Sequence, residues 1–381
     1  MISKYNFQNN IISTVTEYIQ NKHDKNHLLV LPTGSGKSVI AAIIAKKFKR
    51  ILYVAHRLEL IQQFQNYHML FEDSFLLCCD ISVVYKYFDQ FFDLIIIDEA
   101  HRSAAKSYVT MMKNFSDTPI LGLTATPIRN DMKKLTDHYQ FIHKGPTTPF
   151  LQDIGVICHY DEHSVSQNLL PDLSDISLEN NDYNNEYLSE KYRQIFLYGN
   201  IIEEFKEKSI NRKTLIFCVD IKHCIELTEY FYKNGVRNVV YVTNATPKKE
   251  RAEIYNDYVN DKIQVLINCM IYTEGIDIPS VSSIIMARPT LSQILFLQQG
   301  GRGGRPFKNK KDCLILDHAN NIATHSSLNN GRNWIIGEDD SKGGHHDPIT
   351  SDEYIDRIIT TFEYLKLESN KKSRKNIELF M

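Results

Sequence analysis

Short, nearly continuous apolar runs alternate with segments of helical periodicity in the first half of the chain. The apolar runs lie at 27–32, 50–56, 91–100 and 119–126. Between them, residues 39–48 and 58–70 repeat apolar side chains at intervals of three and four, the spacing of one helix face. Strands that are apolar throughout are typical of a parallel sheet covered on both faces. The pattern therefore predicts an α/β domain built on a doubly wound parallel sheet.

The same alternation returns in the second half. Strand-like runs lie at 213–219, 238–244, 264–270, 282–289 and 312–318. Helical patterns at 221–235 and 247–261 separate the first three of these runs. We therefore expect two tandem doubly wound α/β domains, the first at 1–155 and the second at 201–335.

The segments outside the two predicted domains differ from them in composition. Residues 161–190 contain eight Asp or Glu and no Lys or Arg, which favours a solvated acidic connector over 156–200. A Gly- and Asp-rich break then opens a predicted tail at 336–381. This tail carries a short helical pattern at 352–368 and a basic run at 371–375.

Composition narrows the class of protein. With 43% hydrophobic and 24% charged residues among 381, the chain has the composition of a globular protein rather than a disordered one. The net charge is −2, so nucleic-acid binding would need a local basic surface. No apolar run reaches 18 residues and the first ten residues lack a signal's apolar core, so we expect an intracellular protein without a membrane span. Seven cysteines without a CxxC pair, and histidines without ligand spacing, predict neither a disulfide framework nor a zinc site.

The segment LPTGSGKS, Leu31–Ser38, follows a predicted strand and opens a predicted helix. In a phosphate-binding loop, glycines such as Gly34 and Gly36 let backbone N–H groups face phosphate oxygens. Lys37 would then reach the β- and γ-phosphates, and the Ser38 hydroxyl would ligate Mg²⁺. Leu31 stands where the general pattern has glycine, so a chance glycine turn is the alternative at this point.

Two adjacent carboxylates follow the apolar strand of IIIDEAH, Ile95–His101. The carboxyl end of a buried strand is where ligands bind in open α/β sheets. Asp98 could therefore hold Mg²⁺ through water, and Glu99 could accept a proton from an attacking water. The alternative is a pair of solvated surface carboxylates.

Two arginines lie in the glycine-rich segment QQGGRGGRP, Gln298–Pro306. In phosphoryl transfer, charge spreads over the γ-phosphoryl oxygens, and a guanidinium offers them a fixed fork of donors. Arg302 and Arg305 are three residues apart, so they would share a face if this segment were helical. A solvated basic loop is the alternative.

Together these motifs resemble superfamily two DEAH-box helicases, and more narrowly the XPB-, UvsW- and RadD-like DNA helicases. Four further segments occur in that group's order: VAHRLELIQQF (54–64), LGLTATPIRND (121–131), TEGIDIP (273–279) and DCLILDHANN (312–321). The resemblance covers about residues 1–335. It implies two RecA-like domains that bind ATP and Mg²⁺ in the cleft between them.

The resemblance also implies roles for individual residues. The catalytic set is Lys37, Asp98, Glu99, Arg302 and Arg305. The ATP-binding set, in which Gln8 would read adenine, is Gln8, Thr33, Gly34, Ser35, Gly36, Lys37, Ser38, Gly275 and Asp277. Residues that would couple hydrolysis to movement are His101, Thr124, Thr126 and Gln298. Those that would contact nucleic acid are His56, Arg57 and Thr273, with Ser82–Val84 as a further candidate.

The implied function is an ATP-dependent DNA helicase or translocase acting in replication, recombination or repair. The Asn-, Ile-, Lys- and Tyr-rich composition resembles that of AT-rich genomes, viral ones included. Alternatives are a translocase of a defence or restriction system, an RNA helicase, and a non-motor phosphate-loop enzyme. Gly300 and Gly304 replace the bulkier residues usual in the family, so the rigidity of the arginine segment is left open.

Overall fold

The two halves of the chain form two parallel six-stranded sheets in the computed structural model. The structure describes residues 6–21, 25–71, 73–128, 135–179, 181–193, 195–273, 275, 277–332, 334 and 348–349. The predicted helix at 352–368 and basic run at 371–375 lie outside these residues, as does most of the predicted tail at 336–381. Within the described part, no helix has the length and apolarity needed to span a bilayer.

The first sheet confirms the predicted doubly wound α/β architecture. Its strands are β1 (His27–Val30), β2 (Arg50–Ala55), β3 (Phe75–Asp80), β4 (Leu94–Ile97), β5 (Ile120–Thr124) and β6 (Phe141–Lys144). They pair in parallel in the order β3-β2-β4-β5-β1-β6. The helices of this half are α1 (Asn6–Asn21), α2 (Lys37–Ala45), α3 (Leu58–Gln65), α4 (Lys106–Asn114) and α5 (Thr148–Asp153). Every residue of β1, β4 and β5 is buried, because both faces of the sheet are covered.

The second half repeats this architecture. Its strands are β7 (His159–Ser164), β8 (Leu178–Glu179), β9 (Asp182–Tyr183), β10 (Thr214–Phe217), β11 (Val239–Val242), β12 (Val265–Asn268), β13 (Ser283–Met286), β14 (Asp312–Asp317), β15 (Gly331–Arg332) and β16 (Pro348–Ile349). The parallel order of the large sheet is β11-β12-β10-β13-β14-β7. Strands β8 and β9 form one small antiparallel pair, and β15 and β16 form another.

The helices of the second half are α6 (Asn185–Tyr192), α7 (Ile195–Glu204), α8 (Ile221–Lys233), α9 (Lys248–Val259), α10 (Gln293–Gly301) and α11 (Asn321–His325). A π-turn, Phe205–Ser209, continues α7.

Short 3-10 helices occur in both halves of the chain. They lie at His68–Phe71, Ile81–Tyr87, Ala100–Arg102, Leu135–Asp137 and Gln167–Leu169.

Part of the segment 156–200, expected as an acidic connector, belongs to the second sheet. Strand β7 pairs along its whole length with β14, from His159 opposite Asp312 to Ser164 opposite Asp317. The acidic segment after β7 also packs on the second domain. There the Asp182 carboxylate accepts hydrogen bonds from the Thr290 hydroxyl at 2.6 Å and the Leu291 N–H at 2.7 Å. The second domain therefore takes residues from before 201.

Candidate active site at the domain interface

The phosphate loop lies between β1 and α2, at the carboxyl edge of the first sheet. Gly34 and Gly36 have φ of 86° and 90°, a left-handed backbone in which side chains other than glycine's are strained. Gly36 also caps α2, so the loop ends on that helix's first turn, which carries Lys37 and Ser38. The backbone thus has the curvature that directs N–H groups towards an anion.

Leu31, at the position where the general motif has glycine, is part of the core. It is fully buried, and its N–H donates to the carbonyl oxygen of Thr124 at 3.0 Å. A Cβ on Gly145, just beyond β6, would lie 2.1 Å from Leu31 Cδ2. The absence of a side chain at Gly145 therefore makes room for the leucine.

The Lys37 ammonium group lies inside the loop. Its Nζ donates to the carbonyl oxygens of Leu31 at 3.2 Å and Pro32 at 3.3 Å. Burial lowers the pKa of Lys37; the charges of Glu99 and Asp98 oppose that shift, and those of Arg302 and Arg305 add to it. The electrostatic environment of this lysine therefore includes all four of the other residues expected to be catalytic.

Helix α1 places Gln8 against the phosphate loop. Its Nε2 donates to the carbonyl oxygen of Ser35 at 3.3 Å and lies 2.8 Å from where a Cβ on Gly36 would stand. The preceding Phe7 is only 6% exposed and anchors this end of the helix in the core. The first helix and the loop are thus in contact; Ser35 is buried in the loop, and Thr33 is half-buried.

Asp98 follows β4 and is held by two hydrogen bonds. Its Oδ2 accepts from the Tyr53 hydroxyl at 2.6 Å, and its Oδ1 accepts from the Glu99 N–H at 2.9 Å. Burial, followed by the charge of Glu99, raises the pKa of Asp98 to about 6. Sequence reasoning missed Tyr53, and the only signal was a tyrosine within a buried strand, where the hydroxyl needs a partner.

Glu99 has a strained backbone. Its φ of 51° and ψ of 52° are left-handed, an uncommon conformation for a residue other than glycine and one that is enriched at functional sites. The turn begins the 3-10 helix Ala100–Arg102 and leaves a Glu99 carboxylate oxygen 3.3 Å from Nδ1 of the buried His101. The two residues expected in catalysis and coupling are therefore in direct contact.

Thr124 and Thr126 lie beside the phosphate loop, because β5 pairs with β1. The Thr124 hydroxyl donates to the Thr126 carbonyl at 3.0 Å and accepts from the Thr126 N–H at 3.1 Å. Both residues are buried. This closed turn holds the backbone after β5 in a fixed shape between the phosphate loop and the carboxylates.

The two arginines follow the end of α10 and are not on one helical face. The helix ends at Gly301, Arg302 caps it, and Arg305 lies in the loop beyond. Arg302 Nε donates to the carbonyl oxygen of the buried Gln298 at 3.4 Å. Arg305 forms an ion pair with Asp277, and burial lowers the pKa of its guanidinium to about 10.

The arginine segment packs directly on the phosphate loop. A Cβ on Gly301 would lie 2.6 Å from Cβ and Cγ2 of Thr33, and one on Gly34 would lie 3.8 Å from Arg305 Cγ. At Gly301 the arginine segment therefore approaches the phosphate loop too closely for any side chain larger than glycine's. Close neighbours also exclude a side chain at Gly300 and Gly304, where a Cβ would lie 2.4 Å from Leu328 Cδ1 and 2.2 Å from the Tyr160 hydroxyl, respectively. The segment is therefore densely packed at both glycines.

Among the residues expected to contact nucleic acid, Arg57 lies on the boundary between the domains. Arg57 Nη1 donates to the Ile271 carbonyl across that boundary at 2.9 Å, and His56 precedes it after β2. Gly275, with φ of 80°, lies against Glu59. Thr273 is 2% exposed and its hydroxyl donates to the Met270 carbonyl at 3.2 Å, so its side chain is not on a surface here. Ser82–Val84 lie in the 3-10 helix that follows β3.

These features are those of an ATPase of the helicase type, with a phosphate loop and paired carboxylates on one domain and an arginine segment of the other domain against that loop. Residues 2–76 and 79–129 match the family described as type III restriction enzyme, res subunit. Residues 196–306 match the helicase conserved C-terminal domain. The chain belongs to the superfamily two helicases and is an ATP-hydrolysing enzyme, as the sequence motifs predict.

Several known proteins are similar to this chain over most of its length. A 51.5 kDa protein of a Lactococcus phage (isolate 7-9) is 30% identical over 80% of this chain and 68% of its own. The DNA 3'-5' translocase XPB2 of Sulfurisphaera tokodaii is 24% identical over 77% of each chain. A fragment assigned to the HsdR subunit of a type I restriction enzyme from Vibrio vulnificus YJ016 shares the fold, with a TM-score of 0.66 at 21% identity over 84% of this chain and 64% of its own. The chain spans 47%, 39% and 60% of three other curated relatives.

Proposed function

We propose that this chain is a motor that couples ATP hydrolysis at the domain interface to movement on DNA. The observation that carries the proposal is the contact of the arginine segment with the phosphate loop. Gly301 meets Thr33 without room for a methyl group, and both Arg302 and Arg305 act electrostatically on Lys37. A site assembled from two domains responds to their relative position, which is what a motor requires.

The chemistry follows from the groups around the phosphate loop. Lys37 would bind the β- and γ-phosphates, and Glu99 would accept the proton of the attacking water. Arg302 and Arg305 would stabilise the charge that develops on the transferred phosphoryl group. Gln8, next to the loop, is suited to bind the adenine, and Gly275 and Asp277 to approach the ribose from the second domain.

The residues present fit a magnesium ion that arrives with the nucleotide. Each Asp98 oxygen accepts one hydrogen bond, which leaves lone pairs for a metal-bound water. Ser38 lies on the first turn of α2, where a phosphate-loop hydroxyl can reach the ion. Among the residues that the structure describes, no three His, Cys, Asp or Glu side chains gather to hold a metal without the nucleotide. Bound Mg²⁺ would supply positive charge that neutralises the phosphates.

DNA is the proposed track, because the relatives include a protein named as a DNA translocase and a subunit of a type I restriction enzyme. At a net charge of −2, the binding surface has to be local. His56 and Arg57 are candidates for part of this binding surface.

We propose DNA replication, recombination or repair as the process in which the motor acts. Translocation without strand separation is the second candidate, favoured by the match to the restriction-enzyme res subunit.

Matched forks of DNA and RNA test the choice of track. Binding titrations on both should show tighter, salt-sensitive binding to DNA, with a slope of about −0.9 per phosphate neutralised on duplex and about −0.7 on single strands. Strand displacement should be faster on the DNA fork. Tighter binding and faster displacement on RNA would reject DNA as the track. ATP hydrolysis stimulated by DNA without displacement would favour the translocase.

A further inference from the structure

The backbone of the arginine loop, residues 303–305, is held at three consecutive carbonyl groups. The Gly304 oxygen accepts from the Cys158 N–H at 2.7 Å. The Gly303 and Arg305 oxygens accept from Nζ of Lys310 at 2.6 and 2.8 Å. Two adjacent glycines give a loop backbone freedom that must be lost on folding, so these bonds, together with the packing around the loop, hold it in one conformation.

Lys310 also reaches the segment that carries the ion-pair partner of Arg305. Its Nζ makes a further hydrogen bond, at 3.2 Å, to the carbonyl oxygen of Pro279, two residues after Asp277. The ammonium group has three protons, and these three carbonyls match them in number. Asn309, with φ of 64°, turns the chain before Lys310 in a left-handed conformation that asparagine tolerates.

We propose that Lys310 is a positioning residue for Arg305, one that fixes the arginine loop relative to Asp277. The inference rests on the proposed function, since it assigns Lys310 a role in the hydrolysis that Arg305 assists. A guanidinium stabilises developing charge best when it is aligned before the reaction. Without Lys310, two of the three loop carbonyls lose their ammonium donor. The glycine-rich backbone is then freer to move, and Arg305 is no longer held in place.

The variant Lys310→Met removes the ammonium group and keeps the length of the side chain. We expect kcat for ATP hydrolysis to fall at least about tenfold, while KM for ATP changes less than about twofold. The matched controls are Lys308→Met and Lys311→Met, which remove the same charge from exposed neighbours and should hydrolyse at the wild-type rate. Thermal unfolding of each variant shows that it is folded. If Lys310→Met does not fold, Lys310→Arg takes its place, with a smaller expected loss of kcat.

A double-mutant cycle with Arg305→Ala tests whether Lys310 acts through that arginine. In the Arg305→Ala background, removal of Lys310 should cause no further loss of kcat. Independent, multiplicative losses would overturn the proposal, as would a wild-type kcat in a folded Lys310 variant. A wild-type protein that does not hydrolyse ATP would instead contradict the proposed function, so the two failures are distinguishable.

Discussion

The variant Gly301→Ala tests the closed interface by adding one methyl group between the domains. The new Cβ would lie 2.6 Å from Cβ and Cγ2 of Thr33, whereas carbon atoms in contact are about 3.5–4.0 Å apart. The arginine segment must therefore retreat from the phosphate loop by about 1 Å. Overpacking of this kind costs about 1–3 kcal/mol.

That cost falls on the closed arrangement of the domains rather than on the folding of either one. At about 1.4 kcal/mol per factor of ten, the population of closed enzyme should decrease about 5- to 150-fold. The steady-state kcat/KM for ATP should fall by a similar factor, while the unfolding temperature changes little. A folded Gly301→Ala protein with wild-type kcat/KM would refute the idea that hydrolysis needs this contact.

Gly235→Ala is the matched control for Gly301→Ala. Gly235, just after α8, has a φ of 86° and no atom within 4 Å of the position of an added Cβ. Alanine there strains the backbone by about 1–2 kcal/mol without touching the interface. It should lower stability and leave ATP hydrolysis unchanged, the opposite of the pattern expected for Gly301→Ala.

Two further predictions concern the second domain. A fragment of residues 1–155 keeps the first sheet but lacks both arginines, so it should bind nucleotide weakly and hydrolyse it about 10³- to 10⁵-fold more slowly than the whole chain; hydrolysis at the full rate would contradict a two-domain site. Burial lowers the pKa of His223 from 6.5 to about 4, against the opposing charge of Asp220. The unfolded chain takes up this proton first as the pH falls, so the free energy of unfolding should decrease between pH 6.5 and 4, by up to about 3 kcal/mol. Urea unfolding across this range should show a shallower decline for His223→Gln, and equal slopes for the two proteins would contradict the assignment.

The sequence was most informative where burial alone decides the structure. Strands β1, β4 and β5 are buried throughout and mostly apolar because both faces of the sheet are covered, so their positions are visible in the sequence as apolar runs. The chemistry follows these strands directly: the phosphate loop comes after β1 and the carboxylates come after β4. Since parallel strands end at the same edge of a sheet, the sequence predicts that the phosphate loop and the carboxylates lie at one edge of the first sheet.

Structure that depends on long-range pairing could not be predicted. Strand β7, with the sequence HYDEHS, is polar and has a single buried residue, Tyr160, because it lies at the edge of its sheet. Its partner β14 is about 150 residues away, and no local pattern indicates that pairing. The acidic composition of this region therefore predicts a connector, and the structure has a strand there.

The arginine segment shows a different limit of sequence reasoning. Glycines lower helix propensity, so Gly300 and Gly301 suggest a loop. Both lie in α10, where close neighbours leave no room for a Cβ. Tertiary packing thus overrides local propensity, and the role of Lys310 depends on contacts that only the folded chain brings together.

The most direct test of the account is ATP hydrolysis by the whole chain and by its Glu99→Gln variant, each with and without DNA. The substitution removes the proposed base and keeps a side chain of nearly the same shape beside His101. We expect DNA to stimulate hydrolysis by the wild-type protein, and Glu99→Gln to bind ATP but lose turnover. Equal turnover in the two proteins would contradict the assignment of this interface as the catalytic site.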